Sequence, residues 1–229
     1  MISMAIAKKH DFVEIEYTGR LKEGNIVFDA TEEKIARENG IYNKDADYSQ
    51  IIICIGENQI LRGLEEQLIG KETGKEYKLE ISSENAFGRR DAKLIQLIPA
   101  NKFRQQNIQP MPGLQLNIDG IFGVVKTVSG GRCLVDFNHP LAGKDLVYDV
   151  KINRIVDDNK EKLNSLLKMH LHIKDGEIEI KEDGVNINLK QKIRQLEQDE
   201  FKKIAEEVIP NIKNITFTIA EEKKINKFK

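Results

Sequence analysis

Four of the chain's five prolines, Pro99, Pro110, Pro112 and Pro140, fall between residues 89 and 143. On either side the texture is different. Val13, Ile15 and Tyr17 alternate with Glu14 and Glu16, and Tyr77, Leu79 and Ile81 alternate again before the proline-rich stretch. The same two-residue period returns after it at Leu146, Tyr148 and Val150. Such alternation marks strands with one buried face. Strands of one kind on both flanks of a stretch that has its own turn signals predict an insertion into a sheet domain, not a unit appended to it. That sheet must close across the whole insertion.

The remaining pattern fills in the elements. A turn at Lys22 to Asn25 precedes a strand at Val27-Phe28-Asp29, and residues 31 to 50 read as a charged surface bulge with a short helix from Glu32 to Glu38. Ile51 to Ile55 is a buried strand ended by Gly56. Ile60, Leu61, Leu64 and Leu68 recur at helical intervals as far as Gly70. The insertion shows short strands near Leu94–Ile98, Leu114–Ile118, Phe122–Val128 and Cys133–Phe137, with turns at Asp119-Gly120 and Gly130-Gly131. A third unit begins near Asp157. Asp158 with Glu161 resembles a capping box opening a short helix that presents Leu163, Leu166 and Leu167. Three strands are expected next, at Leu171/Ile173, Ile178/Ile180 and Val185/Ile187/Leu189, joined by Asp175-Gly176 and Asp183-Gly184. A helix carrying Phe201, Ile204, Ala205 and Val208 stops at Pro210, and Ile215/Phe217/Ile219 form a last strand. This unit is small for an independent core, which predicts pairing with a second copy of the chain.

Composition removes several classes of function. A net charge of −1 over 229 residues gives no electrostatic reason to bind nucleic acid or an anionic membrane. Nothing in the sequence resembles a signal h-region or is apolar enough to span a bilayer, so a soluble cytoplasmic protein is expected. Cys54 and Cys133 lie in apolar stretches, as reduced buried thiols do, rather than in a disulfide framework. His10, His139, His170 and His172 have no acidic or cysteine neighbour at zinc-ligand spacing. His170 and His172 would share one face of a strand, which reads as an exposed face rather than a two-histidine metal site. Gly70-Lys71-Glu72-Thr73-Gly74-Lys75 is one residue short of a phosphate loop and continues with Glu76, so it reads as a surface turn. No nucleophile elbow is present. Neither a metal nor a cofactor is expected.

What remains is a set of motifs. "VEIEYTGRL" around Tyr17, "VFD" at 27 to 29, "GENQILRGLEEQLIGKETGK" from Gly56, "NAFG" at 85 to 88 and "LVYDV" at 146 to 150 resemble FKBP-type peptidyl-prolyl isomerases. "AFGRRD" and "NHPLAGK" resemble the two crossings by which an insert-in-flap domain leaves and rejoins the isomerase in SlyD-like members. The resemblance implies an α+β fold, an FKBP-like antiparallel sheet wrapped on a short helix. It adds an inserted small β domain and a C-terminal α+β domain. The divisions expected are 1–88 plus 142–156, 89–141 and 157–229. The His- and Cys-rich tail of bacterial SlyD proteins is lacking, so their nickel binding is not carried over.

The resemblance also implies a site. Tyr17, Phe28, Ile51, Ile60, Leu61, Leu64 and Tyr148 fall at positions lining a proline pocket, with Asp29 at the polar position beside it. Phe87 stands where most members have Tyr, and Leu64 where many have Trp. For Asp29 a hydrogen-bonded structural carboxylate is an equal reading, since a carboxylate beside Phe28 in a strand needs a partner or a purpose. Ile98, Phe103, Leu116, Ile118, Ile121, Phe122 and Val124 are the candidate contacts of the insert with unfolded chains. The expected partners are unfolded or proline-containing polypeptides and a second copy of the chain through its C-terminal unit. The rival reading is a peptide-binding holdase with little isomerase activity.

Overall fold

The structure is a computed structural model that describes residues 4–118, 120–174 and 176–219. In chain order, β1 (Phe12–Leu21), β2 (Val27–Ala30), α1 (Glu33–Glu38), β3 (Ile51–Cys54), α2 (Arg62–Leu68) and β4 (Glu76–Ile81) come first. The insertion follows as β5 (Ile95–Pro99), α3 (Ala100–Gln105), β6 (Gln115–Ile118), β7 (Ile121–Ser129) and β8 (Arg132–Asp136). The rest is β9 (Leu146–Ile155), α4 (Asn159–Leu171), β10 (Glu177–Lys181), β11 (Gly184–Leu189), α5 (Gln195–Val208) and β12 (Ile215–Ile219).

β9 lies inside the first sheet, whose order is β2-β1-β9-β4 with β3 also on β1. β2 and β3 share one edge of β1, β3 beside its first half and β2 beside its second. The strand beyond the insertion is therefore paired on both sides, antiparallel to β1 and β4. The early strands cannot complete their ladder without it, which is why the alternation resumes there. α2 covers the buried face with Leu64 and Leu68. Gly63 permits this contact, because a Cβ there would stand 2.6 Å from Ile81 Cγ2 and 2.7 Å from the Asn85 carbonyl oxygen. The architecture is the expected FKBP-like α+β arrangement.

The insertion builds a second antiparallel sheet, β5-β8-β7-β6, around its own small core of Ala100, Phe103, Leu116, Val125, Cys133 and Val135. Its two crossings are tied together. Asn138 accepts from the Asp91 amide at 2.8 Å and returns a bond to the Asp91 carbonyl at 3.0 Å. The buried Asp136 carboxylate accepts from Asn138 and pairs with Arg90. Beneath them the Gly143 amide donates to the Gly88 carbonyl at 2.8 Å.

Three expectations change. Residues 100–105 form a helix, not part of an all-β unit. One helical turn after Pro99 puts Ala100 and Phe103 on the same inward face, a spacing too short to stand out in the sequence. No strand forms at Leu171/Ile173. α4 runs on to Leu171 because Leu163, Leu166, Leu167 and Leu171 satisfy the helical period, and burial of the first three rewards it. His170 is thus on the last turn of α4, and His172 ends the helix in the left-handed conformation with φ 55°. The Asp175-Gly176 and Asp119-Gly120 turns lie partly outside the described residues. Finally, the C-terminal sheet β10-β11-β12 is not a meander. β12 runs parallel to β11 through the α5 crossover. Its core is not self-contained either, since Phe12, Cys54 and Val156 are buried in the same cluster as Leu163, Phe201 and Ile187.

Candidate active site

Gly19 sits on β1 between Asp29 of β2 and Tyr148 of β9. With no side chain, it lets two rings close over it. A Cβ there would come within 2.9 Å of both Phe28 Cζ and Tyr148 Cε1. The rings meet edge to face: Tyr148 to Tyr17 at 5.6 Å between centroids, Tyr148 to Phe28 at 5.9 Å and Phe28 to Phe87 at 6.5 Å. These are favourable quadrupole arrangements. Tyr148 and Leu64 are almost fully buried, and Tyr17, Phe28, Ile51, Ile60, Leu61 and Phe87 are partly buried against the same cluster. So the eight apolar or aromatic residues expected in the pocket belong to one hydrophobic cluster.

Asp29 is the polar member. The Tyr17 hydroxyl donates to its Oδ2 at 3.0 Å. Burial pushes the Asp29 carboxyl above the ordinary aspartate value of 3.8, and the bonds from Tyr17 and the Ala30 amide only partly offset that. The Tyr17 and Tyr148 hydroxyls are held protonated far above the usual phenol range, by burial first and then by the Asp29 charge. The arrangement offers no nucleophile with a base. It offers a cluster of edge-to-face rings with one largely desolvated carboxylate at its edge.

The sequence reading missed one wall. His139, from the second crossing, stacks flat on Phe87 with centroids 4.3 Å apart and planes 9° from parallel. Its Nδ1 accepts from the Leu141 amide at 3.2 Å, and Leu141 itself packs against the pocket cluster. The signal was present in "NHPLAGK", which marked the crossing but not its contact with the site. A cavity of about 700 Å³ is lined by Tyr17 but by none of the other residues expected in the site. It is an open trough lined largely by charged groups including Glu16, Arg20, Lys78, Asp149 and Lys151. Tyr17 also belongs to the aromatic cluster, which remains the candidate site.

In the insertion the candidate contacts divide. Phe103 and Leu116 are 5% and 7% exposed and belong to its core, which removes them from any open groove. Ile98 packs against that core and Val124 is half-buried. Ile121 and Phe122 are exposed, and so is Leu97 of β5, which is 61% exposed. The Ile118 side chain lies outside the described residues.

A sheet packed on one helix, an aromatic cluster over a strand glycine and a second sheet spliced in after β4 are the features of an FKBP-like protein with an inserted domain. Comparison with known proteins agrees. A family model described as "FKBP26, IF domain" matches residues 96–141. A short-type peptidyl-prolyl cis-trans isomerase of Methanocaldococcus jannaschii is 34% identical over 150 residues, covering 66% of this chain and 94% of that protein. A probable FKBP-type 16 kDa peptidyl-prolyl cis-trans isomerase of Pseudomonas fluorescens is 38% identical, covering 50% of this chain and 79% of its own. The SlyD isomerase of Pasteurella multocida is 27% identical over 76% of this chain and 79% of its own. The chain belongs to the FKBP-type peptidyl-prolyl cis-trans isomerases.

The Gly19 contact makes a prediction. Gly19→Ala overpacks the Phe28–Tyr148 pair, so thermal or denaturant unfolding should show a loss of about 1–3 kcal/mol. The displaced rings should also slow peptide isomerisation in the variant that remains folded. An unchanged unfolding midpoint and an unchanged rate would mean that the rings do not close over this position.

Proposed function

We propose that Tyr17, Phe28, Asp29, Ile51, Ile60, Leu61, Leu64, Phe87 and Tyr148 form the site that rotates Xaa–Pro bonds, while the insertion holds unfolded segments of the same substrate. The observation carrying this reading is the aromatic cluster around Tyr148 with the desolvated Asp29 at its rim. Rotation about a peptide bond crosses a barrier of about 18–20 kcal/mol, because twisting destroys amide resonance. Left alone, prolyl bonds take tens of seconds or more, long enough to limit folding. A twisted amide carries less charge separation than a planar one, so an apolar recess favours it over the ground state. The Asp29 carboxylate acts in the same direction by repelling the partial negative charge of a planar carbonyl oxygen. Each ~1.4 kcal/mol of such difference gives about tenfold in rate. Neither proton transfer nor a bond to the enzyme is involved.

Leu97, Ile121 and Phe122 give the insertion an exposed apolar surface suited to weakly selective binding of unfolded chains. The test measures isomerisation of an Xaa-Pro tetrapeptide and of a proline-limited refolding protein side by side. Both should be accelerated, the protein more. Suppressed aggregation with no turnover of either substrate would establish the holdase reading instead.

The divisions 1–88 plus 142–156, 89–141 and 157–229 are proposed as the working units, and the cytoplasm as the compartment. The two buried, free thiols support a reducing environment. Among the described residues no helix is long and apolar enough to cross a membrane. We further propose a homodimer through the C-terminal sheet, whose edge strands expose Ile180 and Ile219, 46% and 56% accessible. Full-length protein should sediment as a dimer at tens of micromolar, roughly the range of weak self-association, and Ile180→Lys should shift it to monomer. Truncation after Val156 is an unsuitable control because it would uncover Phe12 and Cys54. A monomeric wild-type chain at that concentration removes the proposal.

A further inference from the structure

We propose that His10, Cys54 and Glu57 bind one divalent transition-metal ion of zinc-like chemistry. These residues are far apart or oddly spaced in sequence, but the fold brings their ligand atoms together: His10 nitrogen, Cys54 Sγ and a Glu57 oxygen all lie within 4.8 Å of one another. His10 Nδ1 is 3.6 Å from Glu57 Oε1. Tetrahedral zinc with bonds of about 2.0–2.3 Å needs donor atoms about 3.4–3.6 Å apart, within a small rotamer adjustment of this arrangement. One thiolate, one imidazole and one carboxylate select zinc, copper or nickel over magnesium or calcium, and a water completes four-coordination.

The backbone holds the three donors in place. The His10 amide donates to the Ile55 carbonyl at 2.8 Å, and the Ile55 amide donates to the Asp11 carbonyl at 3.0 Å. Phe12 then pairs with Cys54 in the β1–β3 ladder. His10 is fixed in the left-handed conformation, φ 67°, at the turn entering β1. A few residues on, the Glu57 amide closes a turn onto the Cys54 carbonyl.

A second observation points to a missing cation. Glu65 is 3% exposed, and its Oε2 accepts from the Asn58 amide at 3.2 Å, while among the described residues Oε1 has no partner. A buried carboxylate oxygen left unpaired is costly. Through its bond to Asn58, Glu65 fastens the residue that follows Glu57 in the chain. The Cys54 thiol donates to the His10 carbonyl at 3.8 Å, so its sulfur already faces the turn that carries His10. Binding forms the metal–sulfur bond and releases the Cys54 proton to solvent. A further shell is in place: Gln59 accepts from the Cys54 amide at 2.8 Å and donates to His170 Nε2 at 3.0 Å. The site therefore lies where the isomerase sheet meets α4.

The experiment uses untagged full-length protein stripped with chelator and titrated with cobalt(II), then zinc(II). One cobalt per chain should bind with a thiolate-to-metal charge-transfer band, zinc should displace it one for one, and zinc should raise the unfolding temperature. Cys54→Ser and Glu57→Gln should each weaken binding at least about tenfold, the scale of losing a group that holds the metal, whereas Cys133→Ser should not. Because Cys54 is buried and its variant risks misfolding, His10→Ala, at an exposed position, is the companion; folded by circular dichroism, it should lose affinity equally. A wild-type chain without the thiolate band, or a folded His10→Ala chain with full affinity, overturns the assignment.

Discussion

Replacing residues 91–138 with a short Gly-Ser turn should leave tetrapeptide isomerisation within a few-fold of wild type while acceleration of a proline-limited protein refolding falls on the order of a hundredfold, the scale set by losing a tethered second binding site. Suppression of aggregation should go with it. The splice follows the structure. Arg90 and His139 flank the tie between the two crossings, and the Gly143–Gly88 hydrogen bond below it holds the ends together without the insertion. Cutting here keeps His139 stacked on Phe87, so the pocket retains its outer wall. The insertion's core does not mix with the pocket cluster, so neither should collapse for want of the other. A tetrapeptide is too short to bridge the two sites and gains nothing from the exposed Leu97, Ile121 and Phe122. An unfolded chain gains repeated presentation of its prolines. If both activities fall together in a variant that still unfolds cooperatively, the insertion shapes the catalytic recess itself and the division of labour is wrong.

How much of this was legible in the sequence depends on the range of the interaction involved. Alternation at Val13–Tyr17, Tyr77–Ile81 and Leu146–Val150 is local, and it was enough to place strands on both sides of the insertion. The Ile60–Leu68 period likewise placed α2. Phe103 was misread because a single helical turn hides in a six-residue stretch, and its inward face is decided by packing, not by pattern. The run His170-Leu171-His172-Ile173 fits period two as well as the end of a helix. Contacts of α4 with β3 and the shared core tipped it to helix, and those contacts are invisible along the chain. The aromatic site was legible only through the family resemblance. Its geometry, with Gly19 as the space between Phe28 and Tyr148, depends on three strands that come from distant parts of the sequence. The same reason hid His139 behind Phe87 and the approach of His10 to Cys54.

Asp29→Asn should slow tetrapeptide isomerisation about tenfold, the effect of one transition-state interaction of ~1.4 kcal/mol, and yet raise the unfolding temperature at neutral pH. Asparagine keeps an oxygen to accept the Tyr17 hydroxyl at the same place, while the desolvated charge is removed. The native Asp29 carboxyl is raised above its unfolded value of 3.8, chiefly by burial. In the window between those two values the folded state holds a proton that the unfolded state has already released. Stability contributed by this group therefore increases as pH falls through the window, is constant below 3.8, and is lacking above the raised value, where the buried charge is a fixed penalty. Catalysis has the opposite sign, because the carboxylate must be ionised to repel the planar carbonyl, so the rate should fall across the same window. In the difference between wild type and Asp29→Asn, stability and rate should thus cross in opposite directions as pH is lowered, which a purely structural, hydrogen-bonded aspartate would not produce. Parallel unfolding curves and parallel rate profiles for the two proteins from neutral pH to about 4 would leave Asp29 as a structural residue and assign the rate to the apolar recess alone.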